Sequence, residues 1–150
     1  MADTGTDEDG RFSDEERAAM KQRGTELRRS RTATGAAKQE AEAQALADAI
    51  AGMEGEDREL AELVERAVAD AAPQLLKKTW YGFPAWHAGD GKAIVFFKPA
   101  AKFKDRYATL GFNDMARLDD GDMWAKEFAL LHASDEVRRR VAELVRRAVG

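Results

Sequence analysis

Eleven of the chain's twelve aromatic residues fall between Thr79 and Phe128. They are Trp80, Tyr81, Phe83, Trp86, Phe96, Phe97, Phe103, Tyr107, Phe112, Trp124 and Phe128, and Phe12 alone lies outside. Aromatic side chains bury large areas and favour strands. A sheet and its core are therefore expected here, with the rest of the chain packed on it. Phe83–His87 and Lys92–Lys98 read as strands around Gly89-Asp90-Gly91, which carries the Asp-Gly signal of a hairpin turn. The centre of the return strand, AIVFF, is apolar on both faces, as in a strand covered on both sides. Asp105–Phe112 alternates as a third strand, and Lys126–Leu131 is a weaker fourth.

Helical spacing of apolar residues surrounds this stretch. Leu46, Ala47 and Ile50 mark a helix over Lys38–Ala51. Leu60, Leu63, Val64, Ala67, Val68 and Ala71 mark another over Asp57–Ala72, with Asp57 as its expected N-cap. Ser134 caps a last helix whose stripe is Val137, Val141, Leu144, Val145 and Ala148. Ser13-Asp14-Glu15-Glu16 is a capping box that opens a helix over 13–30. The apolar face of that helix is thin, being mostly Ala19, Met20 and Leu27, so it is expected to be marginal. Arg28–Ala37 reads as a linker. The expected organisation is an acidic flexible N-terminus with a marginal helix over residues 1–37, then a single α+β domain over 38–150. That domain would hold an antiparallel sheet of three to four strands packed against N-terminal and C-terminal helices. The sheet's second face would stay partly open, presenting aromatics and lysines.

The bulk properties exclude several classes. The chain has no cysteine, which removes disulfides, thiol nucleophiles and thiolate metal sites. No basic start or apolar run resembles a signal peptide, and no run reaches the roughly 20 residues needed to cross a bilayer. A soluble cytoplasmic protein with no membrane partner is the expectation. A net charge of −4 gives no general attraction to nucleic acid. Its distribution is uneven, however: residues 43–73 carry a net −6 and residues 74–112 a net +5. That pattern allows a cation-handling acidic face or an anion-binding basic groove.

Candidate chemistry is sparse. The two histidines, His87 and His132, have no metal-ligand spacing, and His87 reads as a hydrogen-bonded structural residue. No nucleophile–base pair is legible, so a binding protein rather than an enzyme is expected. Asp119, Asp120 and Asp122 could offer oxygen ligands to a hard cation. Trp80, Tyr81, Lys98, Lys104 and Tyr107 interleave basic and aromatic character, which suits a nucleotide, another anion or a single strand. An aromatic sheet face could equally dock another protein or a second copy of the chain.

The runs TWYGFPAW, GKAIVFFKPAAKFKDRYATLGF and LDDGDMW, followed by FAL, resemble the YdhG-like family over about Asp57 to Gly150. This is a small bacterial family of unknown function with a frataxin-like member described as an intracellular iron chaperone. FSDEERAAMKQRGTEL is similar to the extra N-terminal helix of a related subgroup. The resemblance implies a compact α+β domain and weak iron binding by exposed carboxylates. Their counterparts here would be Asp57, Glu59, Glu62 and Glu65, iron the one cofactor implied, and iron-acceptor proteins the partners.

Overall fold

The computed structural model describes residues 13–32 and 35–150. Three helices come first: α1 (Asp14–Thr32), α2 (Gly35–Ala51) and α3 (Gly55–Ala71). Five strands follow: β1 (Leu76–Trp80), β2 (Phe83–His87), β3 (Ala93–Lys98), β4 (Ala108–Phe112) and β5 (Glu127–Leu130). A 3-10 turn, Ala101–Phe103, sits between β3 and β4, and α4 (Asp135–Val149) closes the chain. The strands form one antiparallel meander in the order β1-β2-β3-β4-β5. The α+β class is as expected, with one strand more than the pattern gave.

The additional strand is β1. Its sequence, LKKTW, has two lysines where a strand signal needs apolar residues. It pairs with β2 from Leu76↔His87 to Trp80↔Phe83, so only Tyr81 and Gly82 make the turn. Both have positive φ, 54° and 84°, the pattern of a type I′ hairpin turn. Tyrosine at such a position costs energy that asparagine or glycine would not, which is why the sequence gives no turn signal there.

Register sorts the sheet into two faces. Trp86↔Val95, Val95↔Phe112, Phe97↔Leu110 and Ala108↔Leu130 place these residues on one face. They meet Leu60, Val64, Ala67 and Val68 of α3 and Val141, Val145 and Ala148 of α4 in the main core. The other face follows from Trp80↔Phe83, Ala85↔Phe96 and Phe96↔Gly111. It is not the open aromatic surface expected, because Phe83 and Phe96 are buried in a second cluster with Ala85 and Ala93. Trp80 and Phe103 pack against that cluster, with the Trp80 and Phe96 rings 5.1 Å apart. The Phe96 ring lies flat on Gly111, where a Cβ would stand 2.0 Å from its Cζ.

The helix caps show where local reading succeeds. Glu16 N–H donates to Ser13 Oγ at 3.2 Å, and Val137 N–H donates to Ser134 Oγ at 3.1 Å. Asp57 departs from its expected role. Helix α3 begins two residues earlier, with Glu54 at its N-cap. The Asp57 carboxylate instead accepts the N–H groups of Ala100 and Ala101, both at 2.9 Å, and so caps the 3-10 turn. The expected linker over Arg28–Ala37 is also corrected. Helix α1 continues to Thr32 and α2 begins at Gly35, and residues 33–34 lie outside the described residues. The expected flexible stretch before Ser13 lies outside them too.

Helix α1 is docked, despite its thin apolar face. Glu26 is buried, and its two carboxylate oxygens accept the N–H groups of Tyr81 and Gly82 at 3.1 and 3.0 Å. Lys104 Nζ reaches Glu15 at 2.8 Å and ties the start of α1 to the 3-10 turn.

Two outcomes follow from these contacts. Gly111→Ala should lower stability by about 3 kcal/mol, the upper end of overpacking costs, because neither the ring nor the backbone can yield by the distance needed; urea unfolding measures it. Glu26→Ala removes two hydrogen bonds to a charged acceptor and should cost at least about 2 kcal/mol. Faster amide exchange at Tyr81 and Gly82, with α3 and α4 still protected, would locate that loss at the α1 contact.

Candidate functional site

Side chains from four elements converge beside β1. A cleft of about 190 Å³ is lined by Arg23, Glu26 and Leu27 of α1, Lys38 and Glu42 of α2, Lys78 and Thr79 of β1, and Asp90, Gly91 and Lys92 of the β2–β3 turn. A second, wider cleft of about 470 Å³ adjoins it and shares Arg23, Gly91 and Lys92. Trp80, Ala93, Asn113, Asp114 and Met115 complete its lining. The turn between β2 and β3 is thus a wall common to both.

Lys78 is the unusual residue here. It points from an edge strand into the cleft and is only 9% exposed. Its Nζ donates to the carbonyl of Gly91 at 2.8 Å. Burial pushes the ammonium below its ordinary value of 10.5, and the neighbouring Arg23 pushes the same way; Glu42 and Glu26 oppose both. Two of the three acids at the site also hold backbone amides, and one of these, Glu26, pairs with Arg23 at 3.5 Å. Glu26 holds the Tyr81 and Gly82 amides, and Asp90 accepts the N–H of Lys92 at 2.9 Å. Four cations and three acids therefore line the cleft; Arg23 is paired with Glu26, and Glu42 is the carboxylate not held by backbone amides.

Under the wall lies His87, 4% exposed. Its Nδ1 accepts the N–H groups of Gly89 and Gly91, each at 3.1 Å. An accepting Nδ1 carries no proton, so the neutral ring bears its proton on Nε2. Nε2 is then a donor rather than a metal ligand. Among the described residues it has no hydrogen-bond partner. The nearest carboxylate is that of Glu42, also buried, with Oε2 at 3.9 Å. Burial holds the imidazole below its ordinary value of 6.5; Glu42 pulls it back and Lys78 pushes it further down.

The candidate residues read from the sequence do not assemble. Of the expected carboxylates, Asp57 caps the 3-10 turn, Glu62 lies 3.8 Å from Arg58, and Glu65 pairs with Lys77 at 3.1 Å. Glu59, Asp119, Asp120 and Asp122 are exposed. Among the described residues, no three acidic or histidine side chains group as metal ligands. Of the expected ligand-binding set, Trp80 lines the wider cleft, and Tyr81 lies beside it under the guanidinium of Arg23 at 5.8 Å. The others lie away from the clefts. Lys98 pairs with Asp105 at 3.4 Å, Lys104 pairs with Glu15, and Tyr107 stacks with Arg106 at 5.2 Å. Arg23, Lys38, Glu42, Lys78 and Lys92 were not legible as a set, because they come from four elements; the one hint was a pair of lysines at the start of the aromatic stretch. Among the described residues, no helix is long and apolar enough to cross a membrane.

The state of His87 sets a pH dependence. Because its folded value lies below 6.5, the unfolded chain takes up a proton first as the pH falls. Stability contributed by this group is level above about pH 6.5 and declines below it, towards the folded value. His87→Asn should remove that part of the acid slope, read as the change in urea midpoint with pH against the unmodified protein.

No family model, no curated protein and no solved structure matches this chain.

Proposed function

We propose that this protein binds a small anion, of the phosphate or carboxylate class, in the paired clefts between α1, α2, β1 and the β2–β3 turn. The observation that carries the reading is the buried ammonium of Lys78 beside Arg23, with Lys38 and Lys92 on the same cleft. Desolvating a cation is costly, and like charges nearby raise the cost. A bound anion offsets both. Trp80 and Met115 in the adjoining cleft offer apolar surface to the body of such a ligand.

The reading keeps the anion-binding expectation but moves it from Lys98 and Lys104, which are paired with carboxylates, to Lys38, Lys78 and Lys92 of the clefts, with Arg23, itself 3.5 Å from Glu26, beside them. Iron binding by exposed carboxylates, which the YdhG-like resemblance implies, gains no support from their dispersed positions.

The test is an amide NMR titration with sulfate and inorganic phosphate at low ionic strength. Saturable shifts are expected at Gly91 and Lys92, weakening as salt is added. Replacing Arg23 and Lys92 together by alanine should lower the affinity about tenfold or more, roughly 1.4 kcal/mol, without loss of fold. If these amides stay still at low salt, the proposal fails.

A further inference from the structure

The β2–β3 turn is the wall the two clefts share, and one side chain grips it from below. We infer that His87 is a proton-operated latch on this wall: a proton taken up at Nδ1 removes the acceptor that holds the Gly89 and Gly91 amides, and the wall is released. As a control on ligand binding this rests on the anion-binding reading, whereas the latch itself is a property of the turn.

The geometry leaves the ring little choice. Both amides, at 3.1 Å, point at the lone pair of Nδ1. Nε2 already carries the proton of the neutral ring, so a second proton must go to Nδ1. There, three N–H donors would face one another without an acceptor, and the turn has to move. It has the means, since Gly89 and Gly91 sit at φ of 122° and 79°, where the absence of a side chain leaves the backbone free to rearrange. The movement reaches the clefts directly. The Gly91 carbonyl anchors the Lys78 ammonium at 2.8 Å, and Gly91 and Lys92 line both clefts.

The charged groups around the ring come from three elements. Glu42 and Lys38 belong to α2, Lys78 to β1 and Asp90 to the turn itself. The buried Glu42 carboxylate, 3.9 Å from Nε2, stabilises the imidazolium once it forms. Asp90 acts in the same direction, and Lys78 and Lys38 act against it. The latch is therefore closed by two amides when the ring is neutral, and its open state is favoured by a carboxylate on the far side. Burial holds the ring's protonation below its ordinary value of 6.5.

The experiment is an NMR titration of the whole protein from about pH 8 to about pH 5, following the His87 ring and the Gly89 and Gly91 amides. One shared midpoint, below 6.5, with loss of exchange protection at both amides, is expected. Glu42→Gln should move that midpoint lower. His87→Asn offers Oδ1 as an acceptor and takes up no proton in this range, so it should keep the turn and abolish the transition. A ring that titrates without moving the two amides, or stays neutral to about pH 5, overturns the latch. Sulfate, whose charge is constant over this range, reads the clefts. Added positive charge alone would tighten its binding in acid, whereas release of the wall should weaken it about tenfold. Weaker binding in acid, and none of that weakening in His87→Asn, supports the coupling; tighter binding in acid in the unmodified protein overturns it. If sulfate does not bind at any pH, the anion reading fails and the amides alone decide the latch.

Discussion

The contact between the Glu26 carboxylate and the amides of Tyr81 and Gly82 is the one on which the α1 side of the molecule depends. A sharp turn leaves backbone N–H groups that no strand partner can reach, and burying them unpaired is costly. This meander meets the difficulty three times with the same device. Glu26 serves the β1–β2 turn, His87 the β2–β3 turn, and Asp57 the 3-10 turn after β3. Each acceptor takes two N–H groups, and two of the three come from helices far away in the sequence. A helix with almost no apolar face is thereby fixed to the sheet through a buried carboxylate more than through apolar contact.

That arrangement has an electrostatic consequence. Carboxylates engaged by amides have less capacity to neutralise the cations near them. Around the clefts, the amides hold Glu26 and Asp90, Glu26 pairs with Arg23 as well, and Lys78 stays buried with its ammonium on the Gly91 carbonyl. The positive character of the site is therefore a small excess, four cations against three acids in the cleft lining, with two of those acids also drawn on by backbone amides. The same economy places a histidine with one nitrogen committed and the other facing a buried carboxylate. Structural and functional demands thus meet on one turn.

Much of the framework was legible in the chain. Apolar spacing located α2, α3 and α4, and the aromatic run located the sheet, because periodicity reports which face of an element is buried, whereas α1 was legible through its capping box. Ser13 and Ser134 were legible as caps because a cap acts within one turn of its own helix. Lys77 and Lys78 concealed β1, since edge strands tolerate lysines that a periodicity reading takes for loop. Asp57 looked like another cap for the same local reason, yet its carboxylate bonds to a turn more than forty residues away. The close seat of Phe96 on Gly111 was likewise hidden, because register decides which residues lie opposite one another.

The candidate site was legible in two residues, Trp80 as a ligand-binding aromatic and His87 only as a structural hydrogen-bonding group. The sequence by itself determined the class of the fold, the position of its core and the absence of thiol chemistry, because each depends on residue type and local spacing. Tertiary structure alone decided which charges face one another: the pairing of Glu26 with a hairpin, the burial of Lys78 and the approach of Glu42 to His87. The reason is physical. Burial of apolar faces is non-directional and can be read along one element, whereas a hydrogen bond or ion pair exists only at a particular distance and angle between elements that folding has brought together.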